Sequence, residues 1–383
     1  MSKRQLGLYL HWPYCAAICP YCDFNVYKAA GQDSAPLVSA ILADMAYWRR
    51  ETGPRALSSL FLGGGTPSLM DPRDVATIIE ACDQLWGFAE HCEISLEANP
   101  TDGEAARFRD LRVAGVERLS LGLQALDDAS LWALGRFHSA KEGLAAADLA
   151  RGLFPRLSID LIYSRQDQSL QAWTEELNIA LAIGPDHISP YQLTIEAGTA
   201  FAQAVARGRL VLPCQDLAAD FYHLTQDHLE TGGFEAYEVS NHARGVPNRS
   251  RHNILYWTSQ DWIGVGPGAH GRLGWKDARR ATKAHERPKD YCQSLRDAGH
   301  GLVEDEILSP EAARDEFWLM GLRLKDGVAW SMADTDAAWL TLDPARIRTR
   351  VDQGYMWQTT THLGLTTKGR LVADTIITGL LTD

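Results

Sequence analysis

Six short apolar runs, each followed by a stretch of helical periodicity, recur through the first half of the chain: Leu6 to Trp12, Leu57 to Leu62, Cys92 to Glu97, Arg118 to Leu123, Leu157 to Ile162 and His187 to Leu193. Strands separated by helices are joined by crossovers, so they run parallel with the helices packed over the sheet. Two of the intervening helices show their starts. Asp71-Pro72 pairs an N-cap residue with a proline in the first turn, and Thr101-Asp102-Gly103-Glu104 resembles a capping box. Six β/α units are fewer than the eight that close a barrel. The expectation is an α/β fold, an open partial (β/α)6 barrel with its site at the C-terminal ends of the strands, where the loops gather.

After about residue 200 the alternation fades. Gln215 to Glu230 reads as a helix, and Gly232 to Gly274, rich in Gly, Asn and Arg, reads as a loop region. From Glu304 on, the pattern predicts a helix through Phe317 to Leu324, another around Pro344 to Gln353, a turn at Gly354-Tyr355 into a short strand pair, and a last helix after Thr366-Thr367-Lys368-Gly369. Helices followed by a hairpin predict a small α+β, winged-helix-like module. The expected division is a barrel over 1–235, a connecting region over 236–303 and the C-terminal module over 304–383.

The 383 residues, 45% hydrophobic and 22% charged, suit a soluble globular chain with a sizeable core. A net charge of -12, with no dense basic block beyond Arg279-Arg280, argues against nucleic-acid binding. The start, Met1-Ser2-Lys3-Arg4-Gln5, leads directly into the first strand without the long apolar segment of a signal peptide, and no run is long enough to span a bilayer. The expected setting is the cytoplasm. There, seven cysteines point to metal or redox use rather than a disulfide framework. Four of them, Cys82, Cys92, Cys214 and Cys292, stand apart and read as buried small residues.

The other three, Cys15, Cys19 and Cys22, follow the first strand at Cys-x-x-x-Cys-x-x-Cys spacing. Three thiolates serve three irons of a four-iron cluster and leave one iron open, whereas a closed electron-transfer cluster uses four. A zinc site made of these thiols and His11 is the alternative, although zinc motifs usually pair Cys-x-x-Cys with a distant second pair. Gly63-Gly64-Gly65-Thr66-Pro67 closes the second strand, giving bare backbone that a ligand can approach. Glu97 and Gln124 end apolar runs, and Asp160 sits inside one, where a carboxylate is costly unless paired or functional. Arg136, in Gly135-Arg136-Phe137-His138, is a possible partner for one of these carboxylates.

The cysteine spacing, with the aromatic Tyr21 before the third cysteine, resembles the signature of the radical SAM superfamily. Together with Tyr9, Gly64-Gly65-Thr66, Glu97, Gln124, Arg136 and Asp160, it resembles the oxygen-independent coproporphyrinogen III oxidase family from about residue 6 to the C-terminus. The resemblance implies a partial radical SAM barrel with a [4Fe-4S] cluster on Cys15, Cys19 and Cys22. It also implies S-adenosylmethionine bound by Tyr9, Tyr21, Gly64, Gly65, Thr66, Glu97, Gln124, Arg136 and Asp160.

That family has an oxidase branch and a haem-chaperone branch. The oxidase carries a further cysteine two residues past the third, where this chain has Phe24, and an N-terminal extension ahead of the first strand. His252-Asn253-Ile254-Leu255-Tyr256-Trp257 is similar to a His-Asn-x-x-Tyr-Trp motif of the chaperone branch linked to haem binding, which makes His252 a candidate haem ligand. The resemblance therefore implies a chaperone that binds haem, cluster and S-adenosylmethionine and delivers haem to respiratory haem proteins, with peripheral membrane association allowed. The alternative is a radical oxidative decarboxylase of a porphyrinogen. One departure stands out: where the family has Gly-Leu-Pro-Gly after the fifth strand, this chain has Ser164-Arg165-Gln166-Asp167, and an altered loop is expected.

Overall fold

The computed structural model describes residues 4–275, 278–331 and 342–381, so the expected start at Met1 to Lys3 lies outside the described residues. The six expected strands form, as β1 (Leu6–Trp12), β2 (Leu57–Gly64), β3 (Phe88–Ala98), β4 (Arg118–Gln124), β5 (Arg156–Tyr163) and β6 (His187–Gln192). They pair in parallel in that order. Helices α1 (Ala35–Thr52), α2 (Pro72–Trp86), α3 (Ala140–Leu153) and α4 (Leu170–Ile183) lie between successive strands. The expected N-cap is present: the Asp71 carboxylate accepts from Arg73 N at 2.9 Å. The Thr101 start opens a helix of one turn, Asp102–Ala105, and the Glu104 carboxylate accepts from Ser68, from the backbone N of Asn99 and from the Thr101 hydroxyl.

Each strand alternates, as a half-buried strand does. Leu8 and Leu10, Leu60 and Leu62, Leu96, Leu119 and Leu121, and Ile159 and Leu161 are fully buried in one core with helix residues such as Trp48, Ile78 and Trp173. The intervening positions are Tyr9, Ser59, Phe61, Glu93, Glu97, Ser120 and Asp160, so the other face of the sheet is aromatic and polar. The apolar face makes the fold, and the polar face furnishes the lumen.

The expected loop region after Gly232 is structured. The expected helix, α5 (Gln215–Thr231), leads into it, and it contains short strands β7 (Glu235–Ala236) and β8 (His242–Ala243), helix α6 (Arg251–Trp257), and strands β9 (Asp261–Val265) and β10 (His270–Leu273). Strand β9 pairs in parallel with β1, from Leu6 opposite Asp261 to Leu10 opposite Val265. The glycines that read as loop residues permit close approach. A Cβ on Gly264 would lie 2.3 Å from His270 O, and one on Gly266, at φ 100°, would lie 2.3 Å from His11 O. An antiparallel meander continues through β11 (Arg280–Ala284) and β12 (Leu302–Ile307). The sheet of twelve strands runs β12-β11-β10-β9-β1-β2-β3-β4-β5-β6-β8-β7.

The C-terminal section has its own core of Phe317, Trp318, Leu363, Leu365 and Ile377. Its first helix, Pro310–Gly321, begins earlier than expected because Ser309 caps it and proline opens it. Helices Pro344–Asp352 and Ala373–Leu381 accompany the expected hairpin, β14 (Met356–Gln358) with β15 (His362–Leu365), joined by β13 (Val328–Ala329). No helix among the described residues is long and apolar enough to cross a membrane.

Candidate functional site

A cavity of about 570 Å³ opens at the C-terminal ends of β2 to β6, beneath the cysteine loop. The loop is pinned at both ends. Tyr14–Cys15 pairs in parallel with Tyr27–Lys28, and the Asn25 amide donates to Pro267 O at 3.0 Å and Glu286 O at 2.8 Å. Cys15, Cys19 and Cys22 all face the cavity, as do Tyr21, Gly64, Gly65, Thr66, Glu97, Gln124, Arg136 and Asp160. One hydrogen-bond chain spans the thiols: Thr66 Oγ1 donates to Cys15 Sγ at 3.5 Å, Asn99 Nδ2 to Thr66 at 3.0 Å, Arg136 Nη2 to Asn99 Oδ1 at 2.6 Å, and Arg136 Nη1 to Cys19 Sγ at 3.5 Å. Arg136 thus serves Asn99, the Gly122 carbonyl at 2.9 Å and the cysteine loop, not the carboxylates the sequence offered as partners.

Glu97 and Asp160 share the floor of the cavity. Burial, reinforced by the charge of Asp160, pushes the Glu97 carboxyl up to about 7, although it accepts from Gly64 N at 3.0 Å. Burial also raises Asp160, opposed by hydroxyls including that of Ser120 at 3.2 Å. Two desolvated carboxylates in one chamber favour a cationic ligand, whose charge would offset their mutual repulsion. Gln124 closes β4 at φ 68°, a left-handed conformation uncommon for a side-chain-bearing residue and concentrated at ligand sites. Asn99, Ser120 and Tyr191 also line the cavity, and sequence reading did not single them out. Asn99 was open to detection, because it follows a strand end and precedes Pro100, a place where loops carry function.

Two expected residues are not in the cavity wall. Tyr9 lies behind it, its hydroxyl bonded to His11 Nδ1 at 2.9 Å. His252 is 1% exposed at the opposite end of the lumen, with Ser59 Oγ 2.8 Å from Nδ1 and Tyr256 Oη 2.6 Å from Nε2. Both imidazole nitrogens, either of which a haem ligand would have to free, are thus engaged by hydroxyls. His11 is likewise engaged, by Tyr9 and by Asn25 O at 2.9 Å, so it is not placed as a fourth ligand beside the thiols. Of the isolated cysteines, Cys82 and Cys292 are buried and Cys92 partly so. Cys214 is exposed, because it precedes helix α5 on the surface.

Residues 9–175 match the family described as the radical SAM superfamily. Similarity to individual proteins extends over the whole chain. The mitochondrial radical S-adenosyl methionine domain-containing protein 1 of Bos taurus is 36% identical over 390 residues, covering 99% of this chain and 88% of the relative. The heme chaperone HemW of Mycobacterium tuberculosis is 34% identical over 389 residues, 100% of this chain and 96% of the relative. The Escherichia coli protein of the same name is 33% identical, covering 97% of each. The chain belongs to the HemW family of radical SAM proteins. In solved structures its fold is similar to that of coproporphyrinogen III oxidase (HemN) from Escherichia coli, with a TM-score of 0.81 at 21% identity, covering 99% of this chain and 90% of that one. That likeness speaks to fold alone.

Radical SAM membership implies a [4Fe-4S] cluster and S-adenosylmethionine, and the residues present fit both. Three thiols line one chamber, the donor set of a cluster with an open iron. The glycine edge presents bare backbone to that chamber as a cradle, and close packing behind it excludes side chains. A Cβ on Gly65 would lie 2.8 Å from Tyr14 O and 2.9 Å from Trp12 O, and one on Gly64 would enter the His11 ring.

The loop that departs from the HemW pattern keeps glycine-like backbone without glycine: φ is 61° at Ser164 and 57° at Asp167. Its hold comes from Arg165, whose guanidinium forms a buried two-pronged pair with Glu176 of α4. Gln168 Nε2 and Leu126 N donate to the same carboxylate at 3.1 and 2.8 Å. The altered sequence thus holds two positive φ angles without glycine, beside a buried ion pair.

Proposed function

We propose that this protein is a haem chaperone that holds a [4Fe-4S] cluster on Cys15, Cys19 and Cys22, binds S-adenosylmethionine at the glycine edge and the Glu97–Asp160 floor, and passes haem to respiratory haem proteins in the cytoplasm. The observation that carries the reading is the mouth of the cavity. Phe24, 59% exposed, lines it at the position where the oxidase has its further cysteine, and Phe137, 79% exposed, lines the same cavity. A planar macrocycle finds apolar faces there rather than another thiol. Full-length similarity to proteins named heme chaperone supports the same reading.

In this reading the three thiolates are the cluster ligands, and the bound cluster supplies an open iron and one-electron chemistry. Arg136 neutralises charge beside Cys19 and keeps Asn99 and Thr66 in line. Glu97 and Asp160 attract the positive charge of S-adenosylmethionine. His252 takes no part in haem ligation while Ser59 and Tyr256 hold it.

The test is anaerobic reconstitution with iron and sulfide, followed by haem titration read by absorption and an assay for protoporphyrinogen formed from coproporphyrinogen. The expected result is haem bound with no porphyrinogen turnover. Turnover without haem binding would favour the decarboxylase.

A further inference from the structure

The His-Asn-x-x-Tyr-Trp segment forms α6, and α6 is clamped to the closed end of the lumen. The buried Glu93 carboxylate of β3 receives the backbone N–H groups of Arg251 at 3.2 Å and His252 at 3.4 Å, and pairs with Arg156 at 2.9 Å. Ser250 caps the same turn by accepting from Asn253 N at 3.3 Å. Room for the helix is made by Gly7 of β1, where a Cβ would lie 2.7 Å from Leu255 and 3.5 Å from the His252 ring.

From His252 a continuous column of rings climbs the lumen to the glycine edge. Its imidazole stacks on Phe61 with centroids 5.1 Å apart and planes 23° apart. Phe61 stacks on Tyr9 at 6.3 Å, and both rings press on Gly63, where a Cβ would lie 2.8 Å from Phe61 and 3.1 Å from Tyr9. The Tyr9 hydroxyl bonds His11 Nδ1. The His11 ring in turn lies against Gly64, where a Cβ would lie 2.5 Å from it. Gly64 N then donates to Glu97 at 3.0 Å. Ser59, Phe61 and Gly63 alternate along β2 and so face the lumen together, which fixes the column to the strand that ends in the cradle.

We infer that His252 is a positioning residue for S-adenosylmethionine, acting through Phe61, Tyr9 and His11 to set the place of Gly64 and Glu97. The inference rests on the proposed S-adenosylmethionine site. Packed interiors transmit displacement because they hold few voids, so loss of the lowest ring lets Phe61 and Tyr9 settle and shifts the strand end above them. The motif then belongs to the cluster side of the protein, and haem binding does not depend on it.

The experiment uses the full chain reconstituted with iron and sulfide, with S-adenosylmethionine affinity from equilibrium dialysis and the spin signal of the reduced cluster recorded with and without it. Wild type binds, and its cluster signal changes. His252→Ala retains iron and sulfide but binds about tenfold more weakly, the loss expected when a buried hydrogen-bonding group no longer holds a binding edge. Its signal change is diminished, and its haem absorption equals that of wild type. Phe61→Leu leaves the hydrogen-bond partners of His252, Ser59 and Tyr256, in place and moves affinity in the same direction, so it carries the test if His252→Ala does not fold. Undiminished affinity in both variants overturns the inference, as does haem absorption lost from His252→Ala with affinity unchanged. A wild type that binds no S-adenosylmethionine overturns the proposed site as well, which separates the two failures.

Discussion

Glu176→Ala tests what holds the loop after β5. The Glu176 carboxylate is the common acceptor for Arg165, Gln168 and the backbone of Leu126, and the side chains of Arg165 and Glu176 are each 7% exposed. Removing one member of a buried pair leaves the other charge desolvated, which costs about 3–5 kcal/mol. Asp127 lies 3.8 Å from the same guanidinium and is half exposed, so it can take over part of the pairing and the lower figure applies. At roughly 2.1 cal/mol/K of unfolding entropy per residue, about 3 kcal/mol lowers the melting temperature of 383 residues by about 4 °C. Thermal unfolding followed by tryptophan fluorescence reads this directly. Ser164→Gly acts on the same loop with the opposite sign: it relieves a left-handed non-glycine backbone and raises stability by about 1 kcal/mol. A melting temperature for Glu176→Ala within about 1 °C of wild type would refute the reasoning, because the guanidinium would then be finding equal solvation elsewhere.

Gly65→Ala forces a Cβ against the Tyr14 and Trp12 carbonyls and breaks the 2.7 Å bond from Gly65 N to Trp12 O. S-adenosylmethionine affinity is expected to fall by at least about tenfold with iron content retained, measured by dialysis and iron analysis. Replacing Cys15, Cys19 or Cys22 by Ala removes one cluster ligand. Each variant is expected to lose most of its iron and sulfide after reconstitution, with far-ultraviolet circular dichroism unchanged. Buried Asp44, which accepts from Tyr291 at 2.7 Å and Gly301 N at 3.2 Å, has its carboxyl pushed up to about 6 by burial. A raised acid holds its proton more tightly in the folded state. Stability therefore falls as pH rises from about 4 through about 6, by about 3 kcal/mol, and the cost is fully present above that window. Asp44→Asn should flatten this part of the pH profile of the urea midpoint.

The parts of the site that could be read from the chain are those encoded within a few residues of one another. Cysteine spacing, a glycine run closing a strand, and carboxylates ending or interrupting apolar runs are all local, and a parallel sheet brings strand ends together without further instruction. Glu97, Gln124 and Asp160 therefore meet in one cavity although nothing in their own segments links them. The parts that stayed hidden are set by distant backbone. Strand β9 looks like a loop because Gly264 and Gly266 are read for flexibility, whereas their absent side chains make room for His270 and, in the second case, for His11, 255 residues away. The aromatic pattern around His252 is legible as a motif, yet its partner Ser59 is 193 residues distant, and only that partner reveals that the imidazole is occupied.

The turn at Ser164 makes the converse point. A sequence pattern that lacks its glycines predicts a changed backbone only if glycine is the sole way to hold a positive φ. Here Ser164 and Asp167 both adopt the left-handed conformation, at a cost on the order of 1–2 kcal/mol each, while breaking the buried Arg165–Glu176 pair costs about 3 kcal/mol or more. The two terms are of similar size, so the buried pair can offset the strain of a turn that holds its positive φ angles without glycine.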